Sequence, residues 1–292
     1  MMKILVTGGT GTVGSQVVTE LLARKADVSV LTRDASKSVP AGVKAVQGNL
    51  QDVASVRRVF DGFDAVFLLN VVGLAEASEG LMALTGMRLA GVKRIVYLSV
   101  HHADKAAWLP HFGSKVGVEE ALKVAGIPFT ILRPNNFYQN DNWVRDAILQ
   151  HGVYAQPYGD AGLSRVDVRD IAEAAAIALT ESGHDGETYD LVGPDVLTAT
   201  KTAEIWSRVL GRPIAYAGND LDAWEKQAVQ YGMPAVVAFD FREMFQYFQD
   251  HGLKASPEAI ARQTTLLGHA PRAYEPFVKE TAAAWQRATV NT

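Results

Sequence analysis

Ile4-Leu5-Val6-Thr7-Gly8-Gly9-Thr10-Gly11-Thr12-Val13-Gly14 runs from a β-favouring segment straight into glycines set three residues apart, and an amphipathic pattern follows over residues 13–24. A strand that turns through glycines into a helix leaves the first N–H groups of that helix without intrahelical partners. Those groups, together with the positive end of the helix dipole, suit a pyrophosphate. Gly8 is expected to make the tight turn, Gly11 to let the backbone approach the phosphates, and Gly14 to bring the helix close to the sheet. Thr10, Thr12 and Val13 complete the loop expected to touch a dinucleotide. The spacing is Gly-x-x-Gly-x-x-Gly, and no Gly-Lys-Ser/Thr follows, so the loop is not a P-loop.

Outward from this loop the first half alternates two hydrophobic periods. Nearly all-apolar runs at 4–7, 28–32, 44–47, 65–69, 94–99 and 129–132 read as parallel strands buried on both faces. Helical spacing fills 13–24, 51–60, 74–90 and 116–125, with Asp52 as an N-cap and Gly126 and Pro128 ending the last. The fold class is therefore α/β, a doubly wound parallel sheet of Rossmann type over residues 1–152. A smaller, mainly helical lobe is expected over 153–292, with about 166–192 packing back on the first domain. Its helices are read at 137–150, 168–181, 199–210, 221–231, 235–251 and 273–287, and its strands at 187–192 and 214–217. Trp206, Tyr216, Trp224, Tyr231, Phe239, Phe241, Phe245, Tyr247 and Phe248 concentrate there, as a helical core or as the lining of an apolar pocket.

Composition narrows the function. Hydrophobic residues make up 48% of 292 positions, and the formal net charge is −4 with both signs interspersed, so neither nucleic acid nor a membrane is expected as partner. Cysteine is absent, which excludes thiol catalysis, disulfides and zinc–thiolate sites. No secretory h-region and no run of the ~20 apolar residues a bilayer span requires is visible, so a cytoplasmic location is expected.

The second strand ends in Thr32-Arg33, where an NAD enzyme would place a carboxylate for the ribose 2′-OH. Arg33 offers a planar fork to a 2′-phosphate instead, and Lys37 adds charge. NADP(H) is thus expected as the preferred cofactor, with NAD(H) as the alternative. Asn49 and Leu50 would frame the adenine, and Asn70 would lie by the nicotinamide ribose, each at the carboxyl end of a strand.

Taken together, this loop, Arg33, Tyr97-Leu98-Ser99, His111-Phe112-Gly113-Ser114-Lys115 with Val118-Glu119, and Thr130-Ile131-Leu132-Arg133-Pro134 resemble the NmrA-like atypical short-chain dehydrogenases. Val166-Asp167-Val168-Arg169-Asp170-Ile171-Ala172, Glu187-Thr188-Tyr189-Asp190-Leu191 and the helix around residues 277–285 extend the likeness over essentially the whole chain. The resemblance implies either an NADPH-dependent reductase of quinones or triphenylmethane dyes, or a non-catalytic NADP(H) sensor acting through a protein partner. It also implies that Asn135, Asn136 and Phe137 contact nicotinamide or substrate.

Typical short-chain dehydrogenases carry Tyr-x-x-x-Lys on the helix after the fifth strand; here His111 and Lys115 stand at those positions. Four residues apart, both share one helix face. Lys115 is expected to hold ribose hydroxyls, His111 to polarise an acceptor carbonyl as a neutral imidazole beside a cation, and Ser99 to supply a hydroxyl. His101, His102, Asp104 and His111 do not make a metal site, because adjacent histidines diverge on an extended chain. The expected activity is hydride transfer from NADPH to a small, apolar carbonyl, quinone-like or dye-like molecule, in a pocket between the sheet edge and the aromatic lobe.

Overall fold

Val28, Val30, Ala65–Leu68 and Ile95–Tyr97 are almost wholly apolar and β-favouring, and they form the fully buried interior strands of a sheet. The computed structural model describes residues 2–34, 36 and 38–290. In chain order the strands are β1 (Lys3–Val6), β2 (Asp27–Thr32), β3 (Lys44–Gln47), β4 (Ala65–Leu68), β5 (Arg94–Leu98), β6 (Phe129–Pro134), β7 (Val153–Tyr154), β8 (Thr188–Leu191) and β9 (Ala215–Tyr216). The helices are α1 (Thr12–Ala23), α2 (Val53–Val56), α3 (Glu76–Ala90), α4 (Pro110–Val124), α5 (Val168–Thr180), α6 (Ala199–Leu210), α7 (Leu221–Gln230), α8 (Ala235–His251), α9 (Pro257–Leu267) and α10 (Tyr274–Val290).

Among the described residues the main sheet is wholly parallel, in the order β3-β2-β1-β4-β5-β6-β8. Sequential order reverses between β1 and β4, and in such sheets ligands bind in the crevice at the carboxyl ends of the strands flanking that reversal. The expected doubly wound α/β fold is what the chain adopts. Helices α1 and α5 pack together, as do α3 and α4. The edge strand β3 departs from the expected two-sided burial, with Lys44, Ala45 and Gln47 exposed.

The described chain divides into two compact units, Met1–Pro134 with Val168–Leu191, and Asn135–Asp167 with Val192–Thr292. The boundary thus falls at Asn135, where β6 ends, rather than at 152. Residues from Asn135 onward are tied into the second unit by backbone pairs Tyr138 to Val166 and Val166 to Asn136, each 2.9 Å. The returning segment, read from sequence as about 166–192, comprises α5 and β8.

Several elements differ from their sequence reading. Helix α4 begins at Pro110, six residues earlier than the apolar pattern suggested, because proline is well suited to the first helical position. The segment read as a helix at 51–60 is one helical turn, capped by Asp52 as expected. Beyond it the chain tightens to three-residue bonds such as Arg58 N–H to Ser55 O, burying Val59 and Phe60. The segment read as a helix at 137–150 is a 3₁₀ stretch, Tyr138–Val144, followed by a π turn, Ala147–His151. Helix α9 was not expected, although Ser256 caps it, Pro257 opens it and Gly268 closes it in a left-handed conformation.

In the second unit the aromatic residues divide by burial. Trp206, Phe245 and Phe248 are core, whereas Tyr231 and Phe239 are exposed. The deepest part of this core is polar: Arg165 and Asp141 form an ion pair of 2.8 Å with both side chains fully buried. Among the described residues no helix is long and apolar enough to cross a membrane.

Candidate functional site at the carboxyl edge of the sheet

The glycine loop has the geometry its sequence required. Gly8 lies at φ +64°, a left-handed conformation that side-chain-bearing residues rarely adopt, and Gly11 N–H closes the turn on Gly8 O at 2.9 Å. A Cβ on Gly14 would stand 2.2 Å from Gly8 O, so helix and turn touch backbone to backbone. The residue capping α1 is Gly11, with no side-chain hydrogen bond to the helix's first amides. Thr10 and Thr12 are exposed, while the Val13 side chain is core, so Val13 can offer only its backbone. Across the reversal point, Thr7 Oγ donates to Leu69 O at 2.8 Å and accepts from Leu69 N–H at 2.7 Å, fastening the β1 and β4 ends together.

Arg33 is exposed at the end of β2 and makes no ion pair among the described residues. Asp34 beside it accepts both Ser36 N–H at 2.9 Å and Ser36 Oγ at 2.7 Å, turning its carboxylate to that local turn. Lys37 lies outside the described residues. Asn49 Oδ1 already accepts Gln51 N–H at 3.0 Å and Leu50 is buried, so an adenine here would meet the exposed Asn49 amide rather than the leucine. Asn70 is different. It follows β4, is 5% exposed, and neither its Nδ2 nor its Oδ1 has a hydrogen-bond partner among the described residues. A buried amide without partners is costly, of the order of 1–3 kcal/mol, so such a group at a ligand edge points to a partner that arrives with the ligand.

His111 and Lys115 do share a face of α4, and both turn to a residue that the sequence reading had not singled out. Glu76 opens α3 and is almost fully buried; its Oε2 lies 2.9 Å from His111 Nδ1, and its Oε1 lies 2.8 Å from Lys115 Nζ. Burial alone pushes the Glu76 carboxyl upward, but the His111 hydrogen bond and the Lys115 charge outweigh it and hold the group below its ordinary 4.5. Lys115 is also buried, with its Nζ 5.5 Å from the centre of the Tyr97 ring. The Tyr97 phenol is pushed well up by burial and by the Glu76 and Glu119 charges. The expectation for His111 rested on the cation alone; the structure places a carboxylate against the ring as well.

Ser99 donates its hydroxyl to Glu119, which is buried and accepts from Arg133 Nε at 3.0 Å and Nη2 at 2.6 Å. Its hydroxyl is therefore committed to a structural chain one helical turn along α4 from Lys115. His101 and His102 do not diverge as an extended chain would require. His102 sits at φ +60°, and the two rings stack at 4.1 Å. Burial, followed by His101 and Lys105, lowers His102 to about 4, and His101 Nδ1 stands 3.2 Å from Asp190.

A family model described as the NmrA-like family matches residues 1–277. The chain belongs to the NmrA-like family. An NAD(P)H azoreductase of Xenophilus azovorans is 29% identical over 286 residues, covering 97% of this chain and 99% of that protein. A (4-alkanoyl-5-oxo-2,5-dihydrofuran-3-yl)methyl phosphate reductase of Streptomyces griseus is 34% identical over 287 residues, with the same coverages of 97% and 99%. Among solved structures, an NADPH-dependent quinone oxidoreductase of Escherichia coli with NADPH bound superimposes with a TM-score of 0.84 at 24% identity, over 95% of this chain and 99% of that one.

Asn135, Asn136 and Phe137 of this NmrA-like chain belong to the second unit, where their polar groups are used internally. Asn135 Nδ2 donates to Leu253 O at 2.7 Å, and its Oδ1 accepts Asn136 N–H at 2.8 Å. Asn136 Oδ1 accepts Arg165 Nε at 3.0 Å, and Phe137 O accepts Arg165 Nη2 at 2.6 Å. The residue missed within the NmrA-like site is Glu76. A signal existed, since Glu76 and Glu79 stand in the first turn of a helix that lacks a side-chain cap, but nothing in one sequence ties that turn to α4.

Proposed function

We propose that this chain is an NADPH-dependent reductase that passes hydride to a small, apolar acceptor of quinone, azo-dye or carbonyl type. The observation that carries the proposal is the glycine turn held backbone to backbone against α1, so close that a Cβ at Gly14 would collide with Gly8 O at 2.2 Å. The unpartnered Asn70 amide and the exposed Arg33 fit the ribose and the 2′-phosphate of the same cofactor. When bound, NADPH supplies a hydride at its nicotinamide C4; binding, orientation and proton supply fall to the protein.

Lys115 is the group for the ribose hydroxyls, held by its ion pair with Glu76 and offering ammonium donors to them. His111 faces the reduced atom. An apolar acceptor is supported by Leu74, 87% exposed two residues before Glu76, and Trp108, 68% exposed three residues before His111. The names of the relatives agree with acceptors of this kind.

Three measurements test this reading. Fluorescence titration with NADPH and NADH, followed by turnover on quinones and azo dyes, should give tight NADPH binding and oxidation of the cofactor; binding of neither dinucleotide overturns it. Arg33→Ala should weaken NADPH about tenfold while leaving NADH nearly unchanged, as expected for one exposed charge-assisted contact. An equal loss for both would remove the 2′-phosphate role. Lys115→Ala should weaken NADPH binding and lower turnover together, and unchanged kinetics would take Lys115 out of the site.

A further inference from the structure

We propose that Glu76 is a positioning residue that sets His111 up as the proton donor to the reduced acceptor. The inference rests on the reductase reading and narrows the acceptors for which the pair matters. Glu76 Oε2 lies 2.9 Å from His111 Nδ1, and Lys115 Nζ lies 2.8 Å from Oε1 of the same carboxylate. An ionised carboxylate only accepts hydrogen bonds, so the proton between the two groups belongs to Nδ1. Glu76 is held below its ordinary range and opens α3, where the helix dipole also favours its negative charge. With Nδ1–H turned to Glu76, any proton that the ring surrenders leaves from Nε2.

The chemistry balances as follows. A quinone, azo compound or carbonyl that takes a hydride from a reduced nicotinamide gains a new bond to hydrogen and a negative charge on its oxygen or nitrogen. In the proposed step the His111 ring enters doubly protonated, and that atom takes the proton from Nε2, whose N–H bond breaks and leaves its electron pair on the ring. His111 is then neutral, still donating Nδ1–H to Glu76, and recovers a proton from water. One hydride and one proton enter the product. A cationic triarylmethane dye needs the hydride alone, because the transfer discharges its positive centre. Through His111, Glu76 therefore matters only for acceptors that must be protonated, whereas its ion pair with Lys115 serves every acceptor.

The test compares wild type, Glu76→Ala, His111→Ala and the double variant, each with a quinone and with a cationic triarylmethane dye. Glu76→Ala should lower kcat on the quinone about 100-fold more than kcat on the dye, the scale of general-acid catalysis, because the loss of its ion pair with Lys115 falls on both acceptors alike. In the double variant the quinone-to-dye ratio of kcat should fall no further than in His111→Ala, because Glu76 and His111 act as one unit in the proton step. On the cofactor-free protein, ¹⁵N NMR of the histidine rings at alkaline pH should find the His111 proton on Nδ1, and on Nε2 in Glu76→Ala. Should Glu76→Ala fail to fold, Glu76→Gln removes the charge and keeps the shape. Equal losses on both acceptors, additive losses, or a His111 tautomer indifferent to Glu76 overturn the proposal. Wild type inactive on both acceptors overturns the reductase reading, and the tautomer then decides the Glu76 assignment by itself.

Discussion

Asp141→Ala is expected to destabilise the second unit by about 3 to 5 kcal/mol, the usual result of leaving one member of a buried ion pair alone. Asp141 and Arg165 are fully buried and 2.8 Å apart. Burial disfavours the guanidinium charge, yet Asp141 raises Arg165 well above its ordinary range, so the guanidinium keeps its charge. The carboxylate does more than neutralise. Oδ1 accepts from Tyr154 Oη at 2.9 Å and Gln156 Nε2 at 3.0 Å, and Oδ2 accepts from Trp206 Nε1 at 3.1 Å and from the Tyr274 hydroxyl. Truncation would take the shared acceptor from these donors inside a fully buried core, leaving Trp206 Nε1 only its bond to Tyr274 Oη at 2.9 Å. Asp141→Asn keeps an acceptor without the charge and should cost roughly half as much, still enough to mark the ion pair as more than shape. Trp206 stacks on Trp285 at 4.8 Å, so tryptophan fluorescence during urea unfolding reports this core directly. A midpoint for Asp141→Ala within 1 kcal/mol of wild type would mean that the network contributes little.

Gly14→Ala should weaken NADPH binding by at least about 100-fold, some 2.8 kcal/mol, while the rest of the sheet still forms. Its Cβ would lie 2.2 Å from Gly8 O, 2.6 Å from Gly8 C and 2.8 Å from Gly9 Cα. All three are backbone atoms, so no rotamer change relieves the contact. The turn must open, and the amides of α1 move away from the pyrophosphate they are proposed to bind. Gly11→Ala meets Gly8 O at 3.3 Å in an ordinary conformation, so it should fold normally and lose affinity only where the phosphates approach. Gly117→Ala, on α4 with nothing within 4 Å, is the control and should bind as wild type does. Titration of the three variants by fluorescence orders them, and a Gly14→Ala protein with wild-type affinity would remove the loop from the cofactor site.

How much was legible in the sequence follows from the range of each interaction. The run from Ile4 to Gly14 specified a strand, a turn and a helix because each depends on residues within a few positions: apolar β-branched runs, a positive φ, an N-terminal cap. Asp52 as a cap belongs to the same category, and the return of about 166–192 to the first domain to the regular alternation of strands and helices. Where local signals competed, the reading slipped. Pro110 announced the start of α4, yet the apolar spacing pointed to 116; residues 137–150 have helical spacing but are bent into 3₁₀ and π turns.

The sequence by itself determined the parallel sheet, the glycine turn and the shared face of His111 and Lys115, all products of local periodicity and spacing. Only the tertiary structure decided that Glu76 meets His111 and Lys115 from 35 and 39 positions away, that Ser99 is bound to Glu119, and that Asp141 gathers Arg165, Tyr154, Trp206 and Tyr274. Buried charges find their partners across the chain, because desolvation makes an unpaired charge too costly and sequence distance enters that cost nowhere.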